Sequence, residues 1–370
     1  MNSAAVPTSA PAHRPSWLPH YIPELQGLRG LAVLAVVFYH CHVLLEGSWI
    51  HYPSLWGWAG VNLFFVLSGF LITSILLEAR GKPHYFRNFY ARRALRIWPV
   101  YLLLLIVCYS VPPWFLGDTL ANQTHWRTLL AYAFFLQNLR HTPLPGTLGP
   151  TWSLAIEEQY YFLWAPVVFL SGLVSLGSAK LLARLLHALL PALLVAMLVA
   201  SPILRSFHPQ WLTSTNTLIH LDGIALGSLL ALGLHTLRLT QRQWLILGLV
   251  ATIAGFWLVA TIAGGTSFLD SALALAFAGL VTASIAGTGS PILAPLRRGP
   301  LPYYGKISYG LYMIHILVFV YWGSFNARLD NLGVPGHLTI VALRIIASTL
   351  AATALWYGFE SRILKLKRFF

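Results

Sequence analysis

The sequence predicts an all-α fold: a polytopic membrane bundle of about ten transmembrane helices plus one short re-entrant or interfacial helix. Three observations predict it. Of 370 residues, 57% are hydrophobic and only 9% are charged, against roughly 25% charged in an ordinary soluble domain. Apolar runs of about 20 residues recur along the whole length. Basic residues gather in the short stretches between those runs, where they orient helices.

The first 20 residues, rich in Pro, Ala and Ser and without an apolar core, read as a disordered tail rather than a signal peptide. Apolar runs then follow at 30–46, 56–78, 97–116, 152–174, 181–204, 214–236, 243–263, 268–287, 307–326 and 337–359. A shorter run at 127–139 would be about 20 Å long as a helix, too short to span comfortably. The stretch 78–96 carries six Arg/Lys and is placed in the cytoplasm. So are Lys180 with Arg184, Arg238 with Arg242, Arg297, Arg298 and Lys306, and the closing "SRILKLKR". These placements agree when 117–151 stays outside and both termini are cytoplasmic. The 14 Trp and 16 Tyr suit membrane–water interfaces.

The net charge of +14, 24 basic residues against 10 acidic, lies mostly in short loops. It therefore reads as topology and contact with anionic headgroups, and no nucleic-acid partner is expected. Cys41 and Cys108 each sit inside an apolar run. They make neither a disulfide framework nor a metal spacing, so no metal is expected.

Ionisable groups inside the membrane cost about 2.5–3.5 kcal/mol each on insertion scales, so functional use is the first hypothesis for them. In "QGLRGLAVLAVVFYHC", Arg29 and His40 are eleven residues apart. That interval is about three turns and about 16 Å, so the two share one helix face at two depths. The bland alternative makes Arg29 a snorkelling marker and His40 a packed polar residue. Arg92, Arg93 and Arg96 enter the third run, with Arg93 and Arg96 adjacent on a helix surface. They fit a positive-inside anchor or a phosphate clamp. Glu157 and Glu158 lie near the start of the run at 152–174 and point about 100° apart. Ser153, Glu157 and Tyr161 share a face there. A His40–Glu157 pair would orient the imidazole as a general base; two interfacial carboxylates at a helix N-terminus are the alternative. Asn62, Asp222 and His315 are further intramembrane polar residues, with glycines near Ser68 and Asp222 allowing close helix packing. Glu360 reads as a surface or interhelix ion-pair residue beside Arg362.

Six motifs in order, "ELQGLRGLAVLAVVFYH", "GVNLFFVLSGFLIT", "FYARRALRIWPVY", "TWSLAIEEQYYFLW", "LDGIALGSLLA" and "SYGLYMIH", then carry a resemblance. Over residues 21–362 the chain resembles the integral-membrane acyltransferase family 3. That family includes bacterial O-antigen, peptidoglycan and exopolysaccharide O-acetyltransferases and macrolide acyltransferases. The resemblance implies a membrane acyltransferase domain at 21–362, followed by a basic cytoplasmic tail at 363–370. It implies a catalytic role for His40, handling of the acyl donor by Arg93 and Arg96, and the acidic role at Glu157 rather than Glu158. Arg29 and Arg92 complete the expected donor contacts. Ser68, Trp152, Ser153, Glu158, Tyr161, Asp222 and His315 are expected to support substrate or structure. Asn62 departs from the aspartate that many members carry. Relatives with a fused extracytoplasmic esterase-like domain continue where this sequence stops, so any partner for a second step is expected to be a separate protein or absent.

The expected function is O-acyl transfer, most simply of acetyl, from cytoplasmic acyl-CoA to a hydroxyl on an envelope saccharide. It would occur in the bacterial cytoplasmic (inner) membrane with no permanently bound cofactor. His40 serves as base, or as an acylated nucleophile. A macrolide-type acceptor is the alternative within the enzyme class. A proton-coupled transporter is the alternative outside it, though no paired Gly/Pro-broken helices repeat in two halves.

Overall fold

The computed structural model describes residues 14–110, 126–139, 146–173, 180–207, 212–262, 267–321 and 331–370, with Pro209 and Leu329. These residues are predominantly helical, and no strand occurs among them. In chain order the main helices are α1 Pro23–Tyr39, α2 Ala59–Ala79, α3 Tyr85–Ser110, α4 Trp126–Ala133, α5 Thr151–Leu173 and α6 Lys180–Phe207. They continue with α7 Leu221–Thr236, α8 Gln241–Ile262, α9 Leu269–Ala286, α10 Pro300–Tyr321 and α11 Val334–Leu355.

Each expected apolar run coincides with one of these helices. Six stretches among the described residues are long and apolar enough to cross a membrane: α2, α3, Ala188–Phe207, α8, α9 and Val334–Phe369. The chain is thus a multi-pass helical membrane protein, with ten spans remaining an expectation. The ends of the third and ninth runs, at 111–116 and 322–326, lie outside the described residues, as do residues 1–13 of the N-terminal tail.

Several helix boundaries differ from the expected runs (α7, for one, starts at Leu221 rather than 214), and three of the differences are as follows. First, α1 begins at Pro23, seven residues before the apolar run. Proline with its preset φ is favoured at the first helical position, and Glu24 in the first turn meets the helix dipole. Arg29 therefore lies inside the helix, and His40 directly follows its last residue. Second, the short run at 127–139 forms only the eight-residue α4, about 12 Å long, and then turns. Third, the last helix does not run regularly to 359: after Leu355 it widens into a π-turn, Trp356–Glu360.

The chain divides into two compact units. The first comprises the N-terminal stretch to Ile22, Asn62–Tyr90 and Ile156–Ser290; the second comprises Pro23–Val61, Ala91–Ala155 and Pro291–Phe370. In the first unit α2 lies backbone to backbone on α7. A Cβ on Gly69 would stand 2.1 Å from the Ile224 carbonyl oxygen, and one on Gly227 2.0 Å from that of Val66. Small residues permit such an approach where lipid provides no hydrophobic drive between helices. In the N-terminal stretch of the same unit, Arg14 pairs with Glu78, which ties this part of the expected disordered tail to α2.

In the second unit α1 and α10 approach just as closely. A Cβ on Gly305 would lie 1.8 Å from the Gln26 carbonyl oxygen, and one on Gly30 2.0 Å from that of Leu301. Gly305→Ala must therefore part the two helices. We expect a destabilisation of about 1–3 kcal/mol, the usual range for overpacking, together with loss of activity. Thermal unfolding in detergent checks this, and an unshifted transition would contradict the contact.

Candidate active site in the second unit

The α1–α10 pair carries a series of polar contacts along its length. Arg297 donates to Glu24 at 2.9 Å, and the Glu24 side chain is fully buried. Arg29 donates from Nη2 to Ser308 Oγ at 3.4 Å. Farther along, His315 Nε2 stands 3.2 Å from His40 Nδ1. Arg29 and His40 thus meet the same neighbouring helix at positions seven residues apart, about 10 Å of rise. The shared face expected from their spacing is present, and it looks onto α10.

The two imidazoles are held by backbone carbonyls. His315 is completely buried, and its Nδ1 lies 2.8 Å from the Tyr312 oxygen and 3.2 Å from that of Leu311. Carbonyl oxygens only accept, so this Nδ1 carries the hydrogen and Nε2 of the neutral ring carries the lone pair. His40 Nδ1 lies 2.8 Å from the Val36 oxygen, so it too carries a hydrogen. That N–H is shared between Val36 O and His315 Nε2. The remaining ring nitrogen of His40, Nε2, therefore holds a lone pair, and no described residue bonds it. The rings meet edge to face, with centroids 4.9 Å apart.

Around this pair the second unit places Tyr312, Phe319 and Arg344. Tyr312 OH shares a hydrogen bond with Ser153 Oγ at 2.6 Å and donates to the Pro150 oxygen at 3.2 Å, which ties the first turn of α5 to α10. Ser153 therefore joins this region through Tyr312. Trp152, beside it, is half-buried. Phe319 packs edge-on against His315, centroids 5.7 Å apart. The Arg344 guanidinium lies 5.1 Å over the Phe319 ring, and its charge acts on the side chain of Cys41, next to His40. Sequence reasoning missed Arg344. Its signal was a lone arginine in the apolar run "VALRIIAS", midway along α11.

Arg93 and Arg96 are half-buried on α3, while Arg92 is exposed. Glu360 is not a surface residue: it is 3% exposed, and the charges of Arg96 and Arg29 act on it. The closing π-turn of α11 carries it inward, which the residue types alone did not reveal. Lys367 feels the charges of Arg96, Arg93 and Arg92. Tyr309 OH donates to the Ile97 oxygen at 2.6 Å and fixes α10 against α3 one residue from Arg96. From Arg96, the stripe Val100, Leu104, Val107 continues along α3 and lines an apolar cavity of about 310 Å³ with Ile314 and Leu317.

The other expected residues fall in the first unit. Glu157 accepts from Ser68 Oγ at 2.9 Å on one oxygen and from Tyr161 OH at 2.7 Å on the other. The predicted shared face of Glu157 and Tyr161 is confirmed, and the carboxylate is held in one orientation. Glu158, the next residue, is half-buried. Asp222 is held by hydrogen bonds within a buried ion network. It accepts from Arg205 Nη2 and from Ser271 Oγ, each at 2.6 Å. Arg205 also lies 3.6 Å from Asp270, which Asn62 contacts through its amide at 3.2 Å. Arg205 and Asp270 went unnoticed in the sequence because each sits at the edge of an apolar run, where a charge ordinarily marks a loop.

The family profile described as an acyltransferase domain matches residues 22–359. Over 371 residues the chain is 29% identical to YrhL of Bacillus subtilis (strain 168), covering 93% of this chain and 55% of that protein. It is 27% identical over 367 residues to the O-acetyltransferase OatA of Staphylococcus aureus (strain NCTC 8325 / PS 47), covering 89% of this chain and 55% of OatA. Over 177 residues, 44% of this chain and 26% of the relative, it is 37% identical to the peptidoglycan O-acetyltransferase OatA of Listeria monocytogenes serovar 1/2a (strain ATCC BAA-679 / EGD-e). The chain spans about half the length of the first and second of these curated relatives. No solved structure matches it. With the family profile covering nearly its whole length, and the motif residues Arg29, His40, Arg93 and Arg96 gathered in one unit, the chain belongs to the integral-membrane acyltransferase family 3.

Proposed function

We propose that this protein is an O-acyltransferase that moves an acyl group, most simply acetyl, from cytoplasmic acyl-CoA to a hydroxyl of an envelope saccharide. The observation that carries the reading is the His40 ring, whose Nε2 is left as a lone-pair nitrogen by the carbonyl-anchored tautomers of His40 and His315. A base of that kind takes the proton of the acceptor hydroxyl while the oxygen attacks the thioester carbonyl carbon. The carbon–sulfur bond breaks as the ester forms, and the departing thiolate receives the proton from His40. The donor phosphates bind Arg93 and Arg96, with Arg29 and Arg92, through charge-assisted contacts. The cytoplasmic mouth and the chemistry are then separated by the length of pathway that the pantetheine arm covers. Glu157, held by Ser68 and Tyr161, remains the expected acidic partner in the reaction. The setting is the cytoplasmic membrane of a bacterium with both termini inside, a placement that rests on the basic stretches between apolar runs.

The relatives named for peptidoglycan and O-acetyl transfer support a saccharide acceptor. Two outcomes test the donor assignment. Arg93→Ala is expected to raise KM for acetyl-CoA by about tenfold, the loss of one charge-assisted contact, with a smaller effect on kcat. An unchanged KM removes Arg93 from the donor site. In a separate experiment, incubation with radiolabelled acetyl-CoA alone distinguishes direct transfer from an acyl-histidine route, because only the latter leaves label on the protein.

A further inference from the structure

We infer that His315 is a positioning residue for catalysis: it fixes the orientation and tautomer of His40 and stabilises the imidazolium that forms when His40 takes the acceptor proton. The inference deepens the acyl-transfer reading and rests on His40 being its base.

Donor and acceptor roles assign the hydrogens of the pair. His315 Nδ1 faces two carbonyl oxygens of its own helix, those of Leu311 and Tyr312, and so must be the protonated nitrogen. Its Nε2 can then only accept, and the hydrogen it accepts is on His40 Nδ1, 3.2 Å away. Val36 O, at 2.8 Å, accepts the same hydrogen. Were His315 protonated on both nitrogens, two N–H groups would confront each other across that distance. The neutral ring is therefore the one that fits.

This arrangement has the logic of a base with an orienting third group. Here the third group is a neutral imidazole, not a carboxylate. Before reaction the bond from His40 Nδ1 keeps Nε2 free of hydrogen. Once the hydroxyl proton reaches Nε2, His40 is cationic, and its Nδ1–H donates to His315 Nε2 as a charge-assisted bond, stronger than the neutral one it replaces. The stabilisation thus grows along the reaction coordinate, the property that raises kcat rather than tightening substrate binding. When the proton passes on to the thiolate, the pair returns to its starting state, and no proton is lost or gained. The ring itself is held for this task. It is fully buried, with Phe319 edge-on at 5.7 Å and Tyr312 at 6.0 Å between centroids.

Two substitutions separate this role from packing. Gln places a carbonyl oxygen near the position of Nε2 and can accept from His40. Phe fills the space of the ring and accepts nothing. With the full chain purified in detergent and assayed with acetyl-CoA and a saccharide acceptor, His315→Phe is expected to lower kcat about 10–100-fold with KM for acetyl-CoA little changed. His315→Gln is expected to recover most of that loss. Equal activity in the two variants, or better activity with Phe, overturns the inference. Should either variant fail to fold, nitrogen-15 NMR of histidine-labelled wild-type protein decides instead, with the His40 signal assigned by its absence in His40→Ala. The expected spectrum shows Nδ1 protonated and Nε2 bare; the opposite tautomer overturns the inference. If His40→Ala itself retains full activity, the acyl-transfer reading fails at its base. If His40 is essential and the two His315 variants are alike, only the positioning role fails.

Discussion

Replacing His40 with alanine is expected to lower kcat for acetyl transfer by about 10²–10⁴, the usual contribution of a positioned general base. The helix fold should survive. His40 follows the last residue of α1, is only half-buried, and its side-chain bond to Val36 duplicates the carbonyl that its own backbone N–H already uses at 3.2 Å. KM for acetyl-CoA should change little, because the proposed phosphate contacts lie eleven residues back, at Arg29, and on α3. Steady-state kinetics on purified wild type and variant, with a melting curve to confirm folding, measure both. A kcat within a fewfold of wild type would remove His40 from the chemistry.

The second large effect concerns stability and sits in the first unit. Arg205 has a side chain 9% exposed and meets Asp222, 4% exposed, at 2.6 Å. It also lies 3.6 Å from Asp270 and donates to the carbonyl oxygen of Ser267 at 2.7 Å. Removing one partner of a buried pair leaves an uncompensated charge, which typically costs about 3–5 kcal/mol. Arg205→Met should therefore sharply reduce the yield of folded protein and its melting temperature. The double variant Arg205→Met with Asp222→Asn should recover much of the loss, since it deletes both charges. Additive losses in the double variant would show that the two side chains are not coupled.

Much of this was legible in the sequence because bilayer chemistry is strict. A backbone in lipid must bond to itself, so apolar length alone located every main helix. Boundaries were harder, since the run at 30–46 says nothing of a helix that starts at Pro23 on polar residues. The Arg29–His40 spacing correctly implied one shared face, because helical rise and rotation are fixed. Which helix that face meets was not readable: the contact with α10 depends on Gly30 and Gly305, which are far apart in sequence. The partner of His40 was expected to be Glu157, by the general preference of imidazole for carboxylates. Within the second unit His315 lies against His40 through a tautomer set by carbonyls, which no residue pattern records. Of the two readings of Glu360, surface residue or interhelix ion pair, its burial excludes the first, and the π-turn that carries it inward leaves no compositional trace. Arg344, Arg205 and Asp270 were visible as charges within or beside apolar runs, and the rule that such charges are costly should have singled them out.

The most direct measurement takes the full chain in sealed vesicles, with acetyl-CoA labelled in its acetyl group and a saccharide acceptor. We expect thioester to be consumed and label to appear as an ester on the acceptor, with both lost in His40→Ala. Accumulation of unmodified solute inside the vesicles with the thioester intact would contradict acyl transfer and identify a transporter instead.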